Sequence, residues 1–566
     1  MSWLQESTKE LNVRPESKLW VVCNKCHAHV SRDEWLANNQ ICPRCHAPGR
    51  LGCRDRVAQI VDEGTFQEIG ADISTSDPLK FVYSAGTYAD KAEATKAKTG
   101  LTESILTGSA KLKGRPIVLG VMDFRFFGGS LSSGAGERIV LAAEEALRTK
   151  SPLILFCASG GARMHEGIVS LMQMARTCAA ISRLHEEGVP YIAVLTDPTT
   201  GGVSASYAMT GDLVISEPKA LIGFAGRRVI ENTIKQKLPP DFQTAEYLRD
   251  HGSLDAIVER GALRDWLDKA LSYFRPVQKP AKLPALKKAA KAAKEKALTA
   301  WEAVQVARGK GRPTLRDYVD LICDDFVELH GDRLVGDDRA LIGGFATIGG
   351  IKVMLLGHQK GRSMEENLET NFGMATPEGY RKAMRLMKLA EFFHLPVVSF
   401  IDTPGAYPGK EAEERGQAEA IGRNLCVMAR LRTPYVAVIT GEGGSGGAIG
   451  IAEGDRVMML QHAIYSVISP EGCASILWRD GSKAPEAAAA LKITADSLLK
   501  LGVIDGVIPE PKGGAQADPK TAALAVRKAV CDALKELLDV PAEKLVEDRY
   551  AKYLAMGRKA KKACKK

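Results

Sequence analysis

Apolar runs of strand length alternate with helical patterns along two long parts of the chain, residues 51–275 and 313–566. In the first part, the apolar run Leu153–Phe156 ends in a glycine turn, Ala158–Ala162. In the second part, Val397–Phe400 ends in Asp402–Ala406. Such alternation predicts an α/β fold in which a mostly parallel sheet is connected by crossover helices.

The two parts follow the same plan, which indicates an internal duplication. Val189–Leu195 leads to Gly201 and Gly202, and Thr433–Ile439 leads to Gly446 and Gly447. The offset between matched positions stays near 244 residues, with Gly202 and Gly447 separated by 245. Ligands of α/β domains bind at the carboxyl ends of the strands, so these glycine turns are the predicted sites.

Two further segments complete the predicted domain organisation. Residues 1–50 form a cysteine-rich head, and residues 276–312 form a linker rich in Ala, Lys and Pro. Three prolines favour extended chain at the start of this linker. Its Ala/Lys run, Leu286–Ala300, has high helix propensity and predicts a short surface helix.

Four cysteines of the head have the spacing of a zinc ribbon. Cys23 and Cys26 form one Cys-x-x-Cys pair, Cys42 and Cys45 form another, and 15 residues separate the pairs. Four thiolates leave no open coordination position, so the predicted zinc is structural. The sequence leaves open that a nearby histidine replaces a cysteine; the candidates are His27, His29 and His46. Cys53 is expected to be an idle buried thiol.

The glycine turns suit the stabilisation of negative charge, because a glycine pair can direct backbone N–H groups at an oxyanion. Each turn alone is weak evidence, since tight packing of a helix on a strand also requires glycine. Ser204 and Ser206 lack the nucleophile-elbow pattern, and neither a phosphate-binding loop nor a dinucleotide fingerprint is present. The duplication therefore suggests two facing oxyanion holes without a protein nucleophile.

Charge and composition argue against a nucleic-acid-binding, membrane or secreted protein. The net charge is +9, but seven Lys and one Glu lie between Lys279 and Lys296, and the end of the chain is also Lys-rich. We interpret these runs as solvated linker and tail. Basic residues of the head leave nucleic-acid binding open but not favoured; they are Lys25, Arg32, Arg44, Arg50, Arg54 and Arg56. No apolar run has the roughly 18 residues that span a bilayer, no signal peptide is recognised, and the cysteines suit a reducing compartment, so we expect a cytoplasmic protein.

Longer motifs carry a resemblance to a known family. Residues 1–275 resemble the β subunit of bacterial acetyl-CoA carboxylase carboxyltransferase, in the four-cysteine head and in Ala158–Met164, Leu195–Pro198, Gly201–Ser206 and Ala220–Gly226. Residues 313 to about 555 resemble its α subunit, in Gly357–Arg362, Asn371–Met374, Phe400–Gly409, Gly441–Gly447 and Tyr465–Ser475. The resemblance covers nearly the whole chain; the departures are the fusion and the shortened region before the α-like part.

The resemblance implies two crotonase (ClpP-like) superfamily domains in tandem behind the zinc ribbon. It implies transfer of a carboxyl group from carboxybiotin to acetyl-CoA, which gives malonyl-CoA for fatty acid synthesis. The ureido anion of biotin takes the methyl proton, so the protein needs no base. It further implies a homodimer equivalent to an α2β2 assembly, in which each active site combines the first half of one chain with the second half of the other.

Biotin is expected on a separate protein, because the chain has no Ala-Met-Lys-Met acceptor and no apparent ATP site. Met387-Lys388 lies in a helical pattern, whereas a biotinylated lysine needs an exposed hairpin. The implied partners are therefore biotin carboxyl carrier protein and biotin carboxylase. The main rival substrates within the superfamily are propionyl-CoA and glutaconyl-CoA.

The resemblance and the duplication together suggest the site residues. The expected thioester side is Gly160, Gly161, Gly201 and Gly202. The expected biotin side is Gly405, Ala406, Gly446 and Gly447. Arg163 is a candidate for orienting a carboxylate or phosphate, with helix capping as the alternative. Arg362 is a weaker candidate for charge stabilisation, because the simpler explanation for it is a surface ion pair.

Overall fold

The computed structural model describes residues 19–77, 79–83, 86–225, 227, 230–231, 235–274 and 298–556. The chain divides into two compact units. Unit 1 comprises Met1–Leu248 and Ala256–Lys269, and unit 2 comprises Arg249–Asp255 and Ala270–Lys566. Gly226, residues 276–297 of the expected linker and the Lys-rich end lie outside the described residues. None of the described helices is both long enough and apolar enough to cross a membrane.

Unit 1 contains a small hairpin in the head, a second short hairpin and one eight-stranded sheet. Its strands are β1 (Trp20–Val22), β2 (His29–Ser31), β3 (Gln67–Ile69), β4 (Val82–Tyr83), β5 (Gly86–Thr87), β6 (Ile105–Leu112), β7 (Arg115–Met122), β8 (Leu153–Ser159), β9 (Tyr191–Thr200), β10 (Leu213–Ser216), β11 (Ile222–Gly223) and β12 (Ala256–Ile257). The large sheet has the order β12-β10-β9-β8-β7-β6-β3, and β11 pairs with β9.

Unit 2 contains a second eight-stranded sheet. Its strands are β13 (Cys323–Glu328), β14 (Leu341–Ile348), β15 (Ile351–His358), β16 (Val397–Thr403), β17 (Tyr435–Gly444), β18 (Arg456–Leu460), β19 (Ile464–Ser466) and β20 (Gly506–Ile508). The order is β13-β14-β15-β16-β17-β18-β20, and β19 pairs with β17. In each sheet the first three strands along the chain are antiparallel and the following strands are parallel.

The strand register matches the two sheets position by position. Phe156 on β8 pairs with Val121 on β7, as Phe400 on β16 pairs with Gly357 on β15. On the other side, β8 pairs with β9 in the same register as β16 with β17. The predicted duplication and α/β architecture are confirmed. The central strands are fully buried because their apolar runs are covered on both faces.

Helices cover the sheets. In the described part of unit 1 they are α1 (Arg32–Ala37), α2 (Cys53–Ile60), α3 (Tyr88–Thr99), α4 (Ser133–Thr149) and α5 (Gly167–Glu186). Helices α6 (Ala245–Asp250) and α7 (Leu263–Tyr273) each begin in unit 1 and end in unit 2. The later helices are α8 (Ala300–Ala307), α9 (Leu315–Ile322), α10 (Met364–Glu369), α11 (Pro377–Phe392), α12 (Lys410–Glu414), α13 (Gln417–Arg430), α14 (Ser445–Ile449), α15 (Pro470–Cys473), α16 (Ala484–Leu491), α17 (Ala495–Lys500), α18 (Pro519–Leu537) and α19 (Ala542–Ala555). Short 3-10 turns and one π-helical segment, Ala474–Trp478, complete the fold.

Two helices bear on the sequence predictions. Helix α8 lies inside the region expected to be linker, yet Ala303, Val304 and Ala307 are buried in a cluster of unit 2. A capping box at Thr299 and Glu302 starts this helix. The chain is therefore packed into unit 2 before residue 313. Met387 and Lys388 lie inside helix α11, as the helical pattern predicted.

Candidate active site and metal centre

In unit 1 the two predicted glycine turns meet at the carboxyl ends of β8 and β9. A Cβ atom added to Gly201 would lie 3.1 Å from the Cα atom of Gly161, so the two backbones are in contact. Gly161 has φ of +117° and Gly201 has φ of +64°, conformations that residues with a side chain rarely adopt. Both positions need glycine, because the backbone has a positive φ and because the two turns are in contact.

Hydrogen bonds within unit 1 already occupy three of the four glycine amides. The Gly160 amide donates to the Gly128 carbonyl (2.8 Å), and the Gly161 amide donates to Ser159 Oγ (3.0 Å). The Gly201 amide donates to two carbonyls of the following loop. Among the described residues, the amides of Ala162 and Gly202 have no acceptor. A Cβ atom at Gly202 would lie 3.6 Å from the Ala162 nitrogen, so these two amides adjoin.

Unit 2 repeats this construction. The Gly405 amide donates to Thr403 Oγ1 (3.2 Å), as the matching Gly161 amide does to Ser159. A Cβ atom at Gly447 would lie 2.3 Å from the carbonyl carbon of Gly405, so this contact is tighter than that in unit 1. Gly446 and Gly447 lie in the first turn of α14, where backbone amides have no acceptor within the helix.

Arg163 does not face a ligand site. Its side chain is 1% exposed and pairs with Glu103 at 3.1 Å. The guanidinium also donates to the Tyr88 hydroxyl (2.8 Å) and lies 4.6 Å from the ring centre of Phe127. Although burial opposes ionisation, the Arg163 charge holds the pKa of Glu103 below its usual range. Arg163 forms an internal ion pair with Glu103. We therefore leave it out of the substrate site, for which the sequence had made it a candidate.

Arg362 is a surface residue. Its side chain is 55% exposed and pairs with Asp317, and its backbone amide donates to Glu366 Oε2 (2.7 Å). This is the surface ion pair that the sequence left open as the alternative. Exposed pairs of this type contribute roughly 0–1 kcal/mol to stability.

A charge cluster of two buried carboxylates and a half-buried lysine lies beside the glycine turns of unit 2, and sequence reasoning missed it. Lys360 Nζ lies 2.7 Å from Asp402 Oδ1 and 3.0 Å from Glu442 Oε1. Glu442 also accepts from Arg308 Nε at 2.7 Å. Burial opposes the charge on Lys360, but the two carboxylates raise the pKa of its ammonium. Each of the three residues lies in a motif that resembles the α subunit, and no spacing along the chain indicates that their charges meet.

His358 lies at the end of β15 and is 1% exposed. Its ring approaches the Gly447 carbonyl, but neither ring nitrogen forms a hydrogen bond with a described residue. Burial, followed by the charge of Lys360, lowers the pKa of this imidazole to about 3. The side chain is therefore a neutral, unpaired imidazole beneath the glycine turn.

The four cysteines of the head form a cluster able to hold one metal ion. Cys23 and Cys45 have their Sγ atoms 3.7 Å apart, and Cys26 and Cys42 have the same separation. All four sulfur atoms lie within 4.8 Å of one another. Tetrahedral coordination with Zn–S bonds of about 2.3 Å places sulfur atoms roughly 3.8 Å apart. The histidines weighed as replacements do not belong to this cluster.

Basic residues near the head are partly committed to contacts within unit 1. Arg56 is buried and pairs with Glu217 at 2.6 Å. Arg260 pairs with the same carboxylate at 2.7 Å and also donates to the Gly49 carbonyl of the head. Arg50 lies over the ring of Phe124, 4.1 Å from its centre. Arg56 is thereby removed from any nucleic-acid surface, which weakens that interpretation.

Comparisons with known proteins define the class. A solved structure described as the transcarboxylase 12S hexamer with methylmalonyl-CoA bound matches with a TM-score of 0.69 at 22% identity, over 86% of this chain and 90% of that one. A single-chain, multi-domain long-chain acyl-CoA carboxylase matches with a TM-score of 0.64 at 20% identity, over 85% of this chain and 46% of that one. The fold is that of the crotonase-like carboxyltransferases, as predicted.

Sequence comparisons then identify the family. Residues 274–557 match the family model described as acetyl co-enzyme A carboxylase carboxyltransferase-like. Curated relatives named acetyl-coenzyme A carboxylase carboxyl transferase subunits beta/alpha include one from Natranaerobius thermophilus, 46% identical over 95% of this chain and 91% of the relative. Another, from Salinispora arenicola, is 48% identical over 95% of this chain and 96% of the relative. The chain belongs to the acetyl-CoA carboxylase carboxyltransferase family, with both subunit types in one polypeptide.

Proposed function

We propose that this chain transfers the carboxyl group of carboxybiotin, presented by a separate carrier protein, to the methyl carbon of acetyl-CoA. The duplicated glycine turns are the observation that carries this function. Each half holds two backbone turns in contact at the carboxyl ends of adjacent parallel strands. The reaction develops two negative charges, one on the thioester enolate and one on the ureido oxygen, so two such sites match its needs.

The first half is proposed to bind the CoA thioester. Glycines at 160, 161, 201 and 202 line the turn, and the amides of Ala162 and Gly202 are the donors left for the thioester oxygen. In this reaction the N–C bond of carboxybiotin breaks to release carbon dioxide, and the ureido anion accepts the methyl proton. The enolate carbon then forms the new C–C bond with carbon dioxide. Loss of one oxyanion donor typically reduces such rates by about 100-fold.

The second half is proposed to bind the ureido ring of biotin. Gly405 and Ala406 form one side of this site, and Gly446 and Gly447 form the other. The amides of Ala406 and Gly447 adjoin, because a Cβ atom at Gly447 would lie 2.4 Å from the Ala406 nitrogen. By strand register Ala406 matches Ala162 and Gly446 matches Gly202, so Gly447 lies one position beyond the match of Gly202.

The metal of the head is proposed to be one structural zinc held by Cys23, Cys26, Cys42 and Cys45. Four thiolates are the ligand set that zinc prefers in closed structural sites. The role of the ion is to stabilise the head, whose small cluster of buried residues is too small to fold alone.

The working unit is proposed to be a homodimer equivalent to an α2β2 assembly, with each active site built from the first half of one chain and the second half of its partner. Biotin carboxylase is proposed to charge the carrier protein, so the ATP-dependent step lies outside this chain. We also propose that the second carboxyltransferase domain begins before helix α8 rather than at residue 313, because that helix is packed into unit 2.

The reverse reaction tests the function directly. Purified chain is incubated with malonyl-CoA and free biotin, and the release of acetyl-CoA is followed with and without biotin. We expect release that depends on biotin. Methylmalonyl-CoA at equal concentration is the matched alternative substrate. Faster turnover of methylmalonyl-CoA would show that the preferred substrate is propionyl-CoA. If neither substrate is turned over in a biotin-dependent way, the proposed function is rejected.

A further inference from the structure

The two units have matched sheets, so each residue of unit 2 can be compared with the residue at the same position of unit 1. A residue type found in unit 2 alone is not required by the fold that both units share. The strand register fixes which residues occupy equivalent positions. Among the equivalent positions that differ in character between the units, three lie beside the glycine turns and carry charge in unit 2 alone. They are Phe124 matched to Lys360, Ala158 matched to Asp402, and Pro198 matched to Glu442.

In unit 2 the three charged residues join the ends of three neighbouring strands. Lys360 follows β15, Asp402 lies on β16 and Glu442 lies on β17. Besides its contacts with the Lys360 ammonium, Asp402 Oδ1 accepts the backbone amide of Glu442 at 2.9 Å. A Cβ atom at Gly441 would lie 2.3 Å from Asp402 Oδ1, so the carboxylate sits against the next strand.

The fold does not need these charges. Unit 1 builds the same strand order and the same pair of touching turns with an aromatic, a methyl and a proline side chain in their place. Replacing a buried ion pair by apolar residues often leaves the stability of a protein unchanged or raises it. Buried charges at these positions therefore indicate a role other than stability. In unit 2 this role concerns the glycine turns, because Asp402 lies three residues before Gly405 and Glu442 lies four residues before Gly446.

We propose that Lys360 is a positioning residue for the carboxybiotin side of the reaction: its ammonium ties Asp402 to Glu442 and so fixes the separation of the two glycine turns. The inference rests on the proposed function of the second half. Lys360 acts through the turns, since its own contacts are with the two carboxylates. Transfer rates are sensitive to displacements of about 1 Å in such turns, because the donors must align with the developing charge.

The test uses the full chain in the reverse reaction. Lys360→Met removes the ammonium that links Asp402 to Glu442. Both carboxylates stay buried without this positive charge, so the variant is expected to lose stability as well as activity. The neutral triple variant K360M/D402N/E442Q removes the ammonium and both carboxylates together, so none of these three charges is left buried without its partner. Arg308 loses Glu442 but keeps its ion pair with Glu471. The matched control is Lys483→Met, an exposed lysine of unit 2 whose side chain is 46% exposed.

For the triple variant we expect a melting temperature near that of the wild type, an unchanged Kd for malonyl-CoA, and a kcat for biotin carboxylation at least 10-fold lower. Lys483→Met is expected to match the wild type in all three measurements. A triple variant with wild-type kcat would overturn the inference and leave the proposed function intact. A wild-type chain without biotin-dependent turnover would overturn both.

Discussion

Gly447 packs so tightly against Ala406 that a Cβ atom at Gly447 would lie 2.4 Å from the Ala406 nitrogen. At Gly446, by contrast, an added Cβ atom would meet only the flexible tip of Ile421, at 3.9 Å. The structure therefore predicts that Gly447→Ala forces the two turns apart, whereas Gly446→Ala is accommodated.

We expect Gly447→Ala to reduce biotin carboxylation by about 100-fold, the typical effect of losing an oxyanion donor, and to lower the melting temperature. Gly446→Ala should keep the wild-type melting temperature and lose less activity. Steady-state kinetics and thermal unfolding of both variants provide the measurement. Equal effects of the two substitutions would contradict the close contact at Gly447.

The metal centre is tested by elemental analysis. We expect one zinc per chain in the purified protein and its loss from Cys23→Ala, because three thiolates hold zinc more weakly than four. Cys53→Ala is the matched control, since Cys53 is buried nearby but does not belong to the four-sulfur cluster. Zinc retained by Cys23→Ala, or lost from Cys53→Ala, would refute the assignment of ligands.

His358→Met should stabilise the protein or leave its stability unchanged. The variant removes two buried nitrogens that have no hydrogen-bond partner among the described residues, and an unpaired buried polar group costs roughly 1–3 kcal/mol. Unit 1 carries methionine, Met122, at the matching position, which shows that the site accepts its shape. Thermal unfolding measures the effect. A fall in melting temperature of several degrees would show that the imidazole has a structural partner.

The pH dependence of stability offers a test at Asp338. Burial raises the pKa of this carboxyl to about 6 in the folded protein, against an ordinary value of 3.8. The unfolded chain therefore loses its proton at lower pH than the folded chain does. The protonated form favours folding below about pH 4, and this contribution is lost as the pH rises from about 4 to 6.

Comparison of the wild type with Asp338→Asn isolates this effect. Asparagine does not titrate in this range. From pH 4 to pH 7 the wild type should therefore lose about 2 kcal/mol of stability relative to Asp338→Asn. Only the pH slope is predicted, since Asp338 also accepts hydrogen bonds from Ala340 and Thr376. Parallel unfolding curves at both pH values would contradict the raised pKa.

The shared-site homodimer is tested by mixing two inactive chains. Gly161→Val disables the first half, because valine is strained at φ of +117°, and Gly447→Val disables the second half. If sites form between chains, a heterodimer of the two variants regains one intact site and activity returns after joint refolding. Heterodimers that form but stay inactive would show that each chain works alone.

The sequence by itself determined those features that depend on spacing along the chain. The two Cys-x-x-Cys pairs specify a four-sulfur cluster because each short turn brings its own two thiolates together. The duplication was readable because the offset of 244 residues is preserved through strands and turns. Gly161 and Gly201 stood out in the sequence as glycines of turns that follow apolar runs, and the structure adds that both have a positive φ.

Tertiary structure decided which side chains meet across strands and which become buried. Lys360, Asp402 and Glu442 lie up to 82 positions apart, and only the parallel register places their charges together. The sequence left Arg163 open as a ligand for an anion or as a helix cap, and the structure pairs it with buried Glu103, 60 positions earlier. Parallel pairing joins residues distant in sequence, and the burial that selects an ion pair over a ligand contact depends on every element packed around it.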